Sequence, residues 1–352
     1  MIQKLIIENF RGLQSFQMKD MCRINLISGR NNVGKSTLLE ALFLFMDHAA
    51  AESFMNINGF RGPIVNGNIS LWEPLFYQMD SERCIRICVS ENDHESCLTY
   101  KKDENYLPFN MNGLSEEILA QFRAVTKTSY SLSFTFDEEE YHEEGHFSLN
   151  GVSVLRDIKT SLPGNEIKLM KSTQFINAAL ARNADSVLTG IAKLELSGTK
   201  ESVVQVLKEL DPTIEDILTL SMQGVAQLYI RSNGRLIPLQ YAGDGVVKLL
   251  NICLAIMERK NGLLLIDEIE TGFHYSMYSK LWKIIDRISK EANCQIIATT
   301  HCYELISAAV DSINNPQSFA YYRMGHVNDK ITIHRFNHSM LVDALKAEME
   351  VR

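Results

Sequence analysis

Hydrophobic positions along the chain follow two patterns, which together predict an α/β fold. Unbroken apolar runs such as 263–266 and 295–299 are typical of strands buried on both faces of a parallel sheet. Residues 37–46 are apolar on nearly all sides, which predicts a buried helix. Helical spacing of apolar residues marks one face of a later helix, at Met277, Leu281, Ile284, Ile285 and Ile288. Strand and helix therefore alternate at both ends of the chain.

The middle of the chain has a different pattern of apolar and polar residues. Short β-like runs extend from about residue 83 to 155, and broken helices are predicted from about 178 to 220. Residues 232–235 predict a hairpin turn, and 319–335 a closing hairpin. We interpret the acidic stretch 137–145 as a solvated hairpin tip, with an interaction patch as the alternative.

Composition is that of a soluble globular protein, since 45% of the 352 residues are apolar and 22% are charged. No apolar run reaches about 18 residues, so we expect no membrane span. The opening eight residues read as a strand and lack the apolar core of a signal peptide. A formal net charge of −8 does not indicate a nucleic-acid binder, but it leaves a local basic groove for DNA open.

Seven cysteines are scattered among apolar neighbours, which favours reduced, buried thiols and a cytoplasmic location over a disulfide framework. Cys84, Cys88, His94 and Cys97 are near enough in sequence to suggest zinc. However, Cys84 and Cys88 lie in an alternating strand pattern, and the spacing matches no common zinc module. We therefore expect no metal at this cluster.

A glycine-rich loop stands between a predicted strand and the first helix. Gly29, followed after four residues by Gly34, Lys35 and Ser36, matches the Walker A pattern, in which backbone N–H groups bind phosphate oxygens. We expect Lys35 to contact the β- and γ-phosphates of ATP and the Ser36 hydroxyl to bind Mg²⁺. The other residues expected at the nucleotide in this segment are Asn31, Asn32, Val33 and Thr37.

Polar residues follow the two late apolar strands. Asp267 is placed to hold Mg²⁺ through its water shell, and Glu268 to act as the general base that activates the attacking water. Strand-ending acids are common, so this pair gains meaning only together with the glycine-rich loop. His301 would face the ligand crevice at the same edge and bond the γ-phosphate, with a solvated loop histidine as the alternative.

A second glycine-rich turn, Gly243-Asp244-Gly245, opens an apolar helix. Such a helix N-terminus can bind an anion. Because the loop around Lys35 already holds the phosphates, this turn lacks a ligand within one chain, and the ATP of a second copy would supply one. A simple loop-to-helix turn is the alternative.

In this order, these segments resemble the ABC-type ATPases of the RecF, SMC and OLD (overcoming lysogenisation defect) group, and most of all the stand-alone OLD-like ATPases. The likeness rests on residues 6–12, 24–37, 265–274 and 298–301, and it covers nearly the whole chain. It implies a P-loop NTPase fold of ABC type, with a mixed central sheet, a β-rich insert and a helical signature subdomain. We expect one composite domain over 1–352, divided into a phosphate-loop lobe (1–80), the insert (81–165), a helical and hairpin part (166–240) and a signature and carboxylate lobe (241–352).

The resemblance also implies two heads that sandwich two ATP molecules, hence a homodimer or a higher homo-oligomer. Residues 243–245 would then cap the γ-phosphate held by the other head, and 270–272 would form the D-loop. Arg11 would approach the nucleotide. Gln174 would sense Mg²⁺, with Gln78 as the second candidate.

Two departures from the family pattern change the expectation. The usual signature serine is missing, so capping would rest on backbone N–H groups and on Lys248, and hydrolysis would be slow or need a partner. Only about 50 residues follow His301, where OLD nucleases continue into a metal-dependent Toprim domain. We therefore expect no nuclease in this chain.

The leading functional hypothesis is an ATP-gated switch. ATP joins two heads, hydrolysis releases them, and the motion controls DNA engagement or a separately encoded, nuclease-like effector. Relatives in the resembled group serve DNA repair or bacteriophage defence. Two alternatives stay open: the ATPase subunit of a membrane transporter, and a nucleotide-binding scaffold with negligible turnover.

Overall fold

The computed structural model describes residues 1–59, 72–104, 131–150, 153–161, 170–177, 184–222, 225–313, 315–328, 330–347 and 351. The chain forms two compact units, each built from separate stretches. The first unit contains Met1–Met21, Asn31–Met170 and Met324–Ile333, and the second contains Cys22–Arg30, Lys171–Arg323 and His334–Arg352. The four segments predicted from the sequence do not coincide with these units, because the chain enters each unit more than once. The single composite domain stays a prediction.

Within the described residues, secondary structure alternates as the hydrophobic pattern predicts at both ends of the chain. The strands are β1 (Lys4–Phe10), β2 (Leu13–Met18), β3 (Ile24–Gly29), β4 (Ile85–Glu91), β5 (His94–Asp103), β6 (Ser131–Glu138), β7 (Tyr141–Asn150), β8 (Ser153–Thr160), β9 (Thr173–Ile176), β10 (Ile214–Met222), β11 (Val225–Ser232), β12 (Arg235–Pro238), β13 (Leu263–Ile266), β14 (Gln295–Thr299), β15 (Phe319–Val327) and β16 (Lys330–Phe336). The helices are α1 (Lys35–Met46), α2 (Ala51–Gly59), α3 (Ala184–Leu196), α4 (Lys200–Leu210), α5 (Asp244–Glu258), α6 (Tyr278–Glu291), α7 (Tyr303–Ser312) and α8 (His338–Lys346).

The first unit is organised by a seven-stranded antiparallel sheet in the order β2-β1-β4-β5-β6-β7-β8. Its buried face is rich in aromatic side chains, several of which pack edge to face. The ring of Phe54 on α2 lies 5.3 Å from that of Trp72 and 4.9 Å from that of Phe147. Burial of such large rings dominates core energetics. Helix α1 is buried over most of its length, as its sequence predicted.

One cysteine prediction is wrong. Cys88 and Cys97 form a disulfide, although the sequence favoured reduced thiols. The two residues face each other directly in the antiparallel register of β4 and β5, and such cross-strand pairs bring their Cβ atoms close together. The expectation of buried free thiols holds for Cys253 and Cys294. Glu95 lies near both sulfurs of the disulfide, but sulfurs joined in a disulfide are not thiolate ligands, which leaves the zinc alternative without support.

The acidic stretch 137–145 is only partly the solvated tip that was predicted. Glu139 and Glu140 are exposed at the turn, whereas Glu143 is fully buried. Its Oε2 lies 3.5 Å from Nε2 of His48 and accepts a hydrogen bond from the Tyr141 hydroxyl. Burial alone would raise the pKa of Glu143, but the bonds from His48 and Tyr141 lower it below its ordinary value. The alternation of a strand places this one carboxylate on the inner face.

The second unit contains a six-stranded sheet in the order β16-β15-β3-β14-β13-β9. The neighbours β3, β14, β13 and β9 run parallel, and β13 lies between two parallel strands, as its apolar run predicted. A separate antiparallel sheet, β10-β11-β12, includes the predicted turn, where Asn233 and Gly234 have φ of 49° and 70°. The mixed α/β class is confirmed.

The predicted helical stretch 178–220 is correct only in part. Residues 178–183 lie outside the described residues, and α3 and α4 follow, but the chain is a strand from Ile214 onward. The residues of β10 pair along their length with β11, so tertiary pairing overrides the local pattern. Among the described residues, no helix has both the length and the apolar character that crossing a membrane requires.

Candidate functional site

The phosphate loop, residues 29–36, begins at the last residue of β3 and ends in the first turn of α1. Three of its residues have positive φ: Gly29 at 148°, Asn32 at 63° and Gly34 at 87°. Asparagine and glycine tolerate this region better than other residues, so the loop can curl its N–H groups to one side. The sequence and the backbone conformation thus agree at the predicted phosphate site.

Gly34 shows why its position demands glycine. It is the N-cap of α1, and a Cβ built on it would lie 3.2 Å from Cδ2 of Leu13. Lys35 and Thr37, which follow, are buried with side chains 6% and 7% exposed, and Ser36 is half-buried. The exposed residues of the loop are Arg30, Asn31 and Asn32, whereas Val33 is buried. The first turn of α1 presents backbone donors that have no partner within the helix itself.

Arg11 is engaged differently from the expectation. Its Nε lies 2.9 Å from Oε2 of Glu40 on α1, and both side chains are buried. Its Nη2 also donates to the carbonyl of Ile57 and to Asn58, at 3.4 Å and 3.3 Å. This geometry ties α1 to the start of β2 and to α2, and it gives Arg11 a structural role beside the phosphate helix. A direct contact of Arg11 with nucleotide stays a prediction.

The carboxyl ends of the parallel strands of the second unit lie at one edge of the sheet. Ile266 is in register with Ala298 and with Ile176, and Thr299 with Ile27. The segments that leave this edge are the phosphate loop after β3, Asp267 and Glu268 after β13, and Thr300 with His301 after β14. Ligands of open parallel sheets bind at this edge. The register therefore brings the points where three of the sequence motifs begin to one edge of this sheet.

Thr299 joins the two carboxylate residues. Its Oγ1 donates to Oδ1 of Asp267 at 2.5 Å and accepts from the Glu268 N–H at 2.9 Å. Thr299 is fully buried and Asp267 is 7% exposed, whereas Glu268 is half-buried. Asp267 is thereby held by a charge-assisted bond, and its carboxylate oxygens are of the kind that Mg²⁺ prefers.

Lys248 corrects one expectation. Its Nζ donates to the backbone carbonyl of Glu268 at 2.6 Å, and the residue is 2% exposed. A side chain buried in this way is committed to its own chain, so it is not available to cap the nucleotide of another. Burial lowers the pKa of Lys248 to about 8, although the charges of Glu270, Glu268 and Asp267 act in the opposite direction.

His301 is positioned through its backbone. Its N–H donates to Oε1 of Glu270 at 2.7 Å, and its side chain is half-buried at the edge of the sheet. The preceding residue, Thr300, donates its N–H to the carbonyl of Ile27 at 2.9 Å. The histidine is therefore anchored to the D-loop on one side and to the strand that leads into the phosphate loop on the other.

The signature turn, residues 243–245, packs directly on the D-loop, residues 270–272. A Cβ on Gly245 would lie 2.8 Å from the carbonyl oxygen of Gly272, and a Cβ on Gly272 would lie 3.2 Å from Cβ of Asp244. Gly243 is the N-cap of α5, and both it and Asp244 are exposed. The two segments form one continuous face, with the N-terminus of α5 opening onto it.

The structure does not favour the predicted Mg²⁺-sensing glutamine. Gln174 lies inside β9, opposite Leu264 and before the end of the strand, rather than in a loop at the carboxyl edge. Gln78 is exposed in a tight turn of the first unit, with a φ of 55°. The residue that follows β9 at the edge is Asn177.

Sequence reasoning missed two residues of this site. The sequence marks Thr299 only as part of the segment before His301, and it predicts a capping role for Lys248. A hydroxyl or an amine inside an apolar run is the signal that was present, because such a group needs a partner when it is buried. The identity of the partner depends on the fold.

The AAA ATPase domain family matches residues 1–175 and 154–306, which is most of the chain. The chain belongs to the AAA ATPase domain family. It is an ATPase, as predicted.

Two relatives extend over nearly all of the chain. An ATP/GTP phosphatase of Helicobacter pylori is 25% identical over 346 residues, which cover 91% of this chain and 90% of the relative. The Septu protein PtuA of Bacillus thuringiensis is 24% identical over 332 residues, which cover 88% and 73%.

Solved structures of SMC heads share the fold. A SmcHead bound to the C-terminal winged-helix domain of ScpA matches with a TM-score of 0.53 at 11% identity, over 96% of this chain and 98% of the other. An Smc head with an extended coiled coil, bound to the C-terminal domain of ScpA derived from Pyrococcus furiosus, matches with a TM-score of 0.51 at 11% identity, over 99% of both chains. The predicted P-loop fold of ABC type is therefore confirmed.

Proposed function

We propose that this ATPase is an ATP-gated dimeric switch. The phosphate loop of one copy holds ATP, and the signature turn of a second copy caps its γ-phosphate. Hydrolysis removes the ligand that joins the two copies, so they separate. This cycle controls a separately encoded effector of nuclease type in defence against bacteriophages.

One observation carries the dimeric part of the proposal: the signature turn packs on the D-loop, and Gly243, Asp244, Thr271 and Gly272 are exposed there. A helix N-terminus opens onto this face, and such termini attract anions through their N–H groups and the helix dipole. Within one chain, the phosphates of ATP are expected at the loop around Lys35 and not at this helix N-terminus. The resemblance to ABC-type heads implies that the anion is the γ-phosphate of ATP bound to a second copy.

The chain's own groups define the chemistry. Lys35 and the loop N–H groups bind the phosphates and neutralise their charge. Glu268 orients the attacking water and accepts its proton. His301, whose position is fixed by Glu270, contacts the γ-phosphate. Asp267 and Ser36 offer oxygen ligands that suit Mg²⁺, which when bound would neutralise phosphate charge.

Replacement of Glu268 by glutamine tests both parts together. We expect ATP turnover to fall by about 100- to 10,000-fold, as for loss of a general base. ATP should then trap the dimer, so that light scattering with ATP gives twice the chain mass of 40.0 kDa. The exposed Glu291→Gln at the end of α6 is the matched control and should behave like the wild type. Unchanged turnover would contradict the base, and a monomeric mass with ATP in the variant would contradict the dimer.

The defence role rests on the resemblance to OLD-like ATPases and on the similarity to the Septu protein PtuA. Expression of the chain together with the genes beside it, in a phage-sensitive bacterial host, should lower plaque counts. Lys35→Ala should abolish the protection at equal protein level, because the phosphates lose their main cation. Full protection by that variant would show that nucleotide binding does not gate the effector.

A further inference from the structure

We propose that Lys248 is a positioning residue for hydrolysis, which holds the backbone of Glu268 so that its carboxylate faces the attacking water. This inference rests on the proposed function, because it takes Glu268 as the base. Lys248 itself touches no reacting atom in this proposal. It acts through the peptide carbonyl that it binds.

The conformation of Glu268 needs support. Its φ is 47°, in the left-handed region, where a side chain with a Cβ is rarely found outside turns and strained sites. Such a residue persists only when its surroundings determine the backbone. Because the side chain projects from this backbone, a change in φ would swing the carboxylate away from its present direction.

Three contacts are made by the N–H and the carbonyl of Glu268 itself, beside the bond from the next N–H, that of Ile269, to the carbonyl of Thr299 at 3.0 Å. The N–H donates to Oγ1 of Thr299 at 2.9 Å, and the carbonyl accepts from the N–H of Thr271 at 3.0 Å. The third contact is the donation from Lys248 Nζ to the same carbonyl at 2.6 Å, the shortest of the three. The Thr271 bond closes a local turn, whereas the Lys248 bond reaches across from α5. Lys248 is thus the contact that fixes this turn relative to another helix.

The position of Lys248 on α5 adds a consequence. The helix begins at the signature turn, and Lys248 lies about one turn beyond it. An α-helix moves as one element over such a short distance, so a displacement of its first turn also displaces Lys248. A displacement of the signature turn therefore also moves the backbone of Glu268 in the same chain.

The test uses the full chain with Lys248→Met, which keeps the length and the apolar stem but removes the donor and the charge. We expect kcat to fall by about 10- to 100-fold, since small misplacements of reacting groups cost this much. Binding of a fluorescent ATP analogue and KM should stay near the wild-type values. Asn251→Ala, which removes a buried amide bonded within the same helix at 2.9 Å, is the control and should leave kcat unchanged. Lys248→Leu, which also lacks the donor and the charge, carries the same expectation should the methionine variant fail to fold.

A double-mutant cycle separates positioning from general loss of structure. If Lys248 acts through Glu268, Lys248→Met should cost nothing further in a Glu268→Gln background, because the group that it positions is already gone. Equal fold losses in both backgrounds, or wild-type kcat in the single variant, would overturn the proposal and leave the proposed function intact. Wild-type turnover by Glu268→Gln alone would instead overturn the base, and this inference with it.

Discussion

Replacing Thr299 by valine isolates the contribution of one hydroxyl to the catalytic edge, the edge of the parallel sheet that Asp267, Glu268 and His301 follow. Thr299 is fully buried, and its Oγ1 connects Oδ1 of Asp267, at 2.5 Å, with the N–H of Glu268, at 2.9 Å. Valine has the same shape but neither donates nor accepts a hydrogen bond. The substitution therefore leaves a carboxylate oxygen and a backbone N–H without their partner, while the packing stays nearly unchanged.

The size of the effect follows from these contacts. A buried polar group that loses its partner costs about 1–3 kcal/mol. Asp267 is 7% exposed and Glu268 is half-buried, so water can reach part of this region, and we expect a total loss of about 2 kcal/mol in the free energy of unfolding. Catalysis should suffer to a similar extent, because the Asp267 carboxylate and the Glu268 backbone both lose a fixed position. We expect kcat to fall by about 10- to 100-fold with little change in KM.

Steady-state ATP hydrolysis and urea unfolding measure the two quantities. The matched control is Thr300→Val, since Thr300 is equally buried and its hydroxyl accepts from the Cys302 N–H at 3.0 Å. Because its hydroxyl has one such partner rather than two, we expect a smaller loss of stability, about 1 kcal/mol, and wild-type kcat. Thr299→Ser restores the hydroxyl and should recover most of the turnover. The reasoning is refuted if Thr299→Val keeps wild-type kcat. It is also refuted if kcat falls as far in Thr300→Val as in Thr299→Val.

Three further predictions concern the signature turn, the buried amine and the first unit. Gly245→Ala would place a Cβ 2.8 Å from a D-loop carbonyl oxygen, so the turn must shift. ATP-dependent dimerisation, measured by light scattering, should then be lost while the monomer still binds ATP. A normal dimer would contradict this prediction. Burial lowers the pKa of Lys248 from 10.5 to about 8, so between these pH values the unfolded chain holds a proton that the folded chain has released. Urea unfolding should show the wild type gaining up to about 3 kcal/mol over Lys248→Met as pH rises through this window, and a flat difference would count against the burial of a charged amine. Glu143→Ala would leave His48 buried without its carboxylate and should cost about 3 kcal/mol in urea unfolding. The exposed Glu144→Ala on the same strand should change the free energy of unfolding by less than about 0.5 kcal/mol, and equal losses would show that the buried pair has no special role.

Much of the catalytic edge could be predicted from the sequence, because its parts are local. The phosphate loop requires residues that tolerate positive φ directly before a helix, and Gly29, Asn32 and Gly34 satisfy this requirement within one short segment. The same holds for Asp267 and Glu268 after an unbroken apolar strand. Parallel strands place such ends at one edge, so motif order alone predicted their assembly.

Partners of buried polar groups could not be predicted in this way. The sequence does not indicate that Arg11 pairs with Glu40 or that Lys248 binds the Glu268 carbonyl; the nucleotide contact expected of Arg11 stays a prediction. Cys88 and Cys97 were expected as thiols but face each other across two strands. In each case the side chain's chemistry was evident, whereas its partner came from another element.

The sequence by itself determined the class of protein, the phosphate loop and the order of the catalytic segments, since backbone tolerance and hydrophobic period act over a few neighbouring residues. Only the tertiary structure decided that β10 is a strand, that Gln174 lies within a strand, and that the signature turn packs on the D-loop. These features depend on strand register and on the approach of distant segments. A sequence pattern does not show how far apart such segments lie in space, so only the fold determines which of them meet.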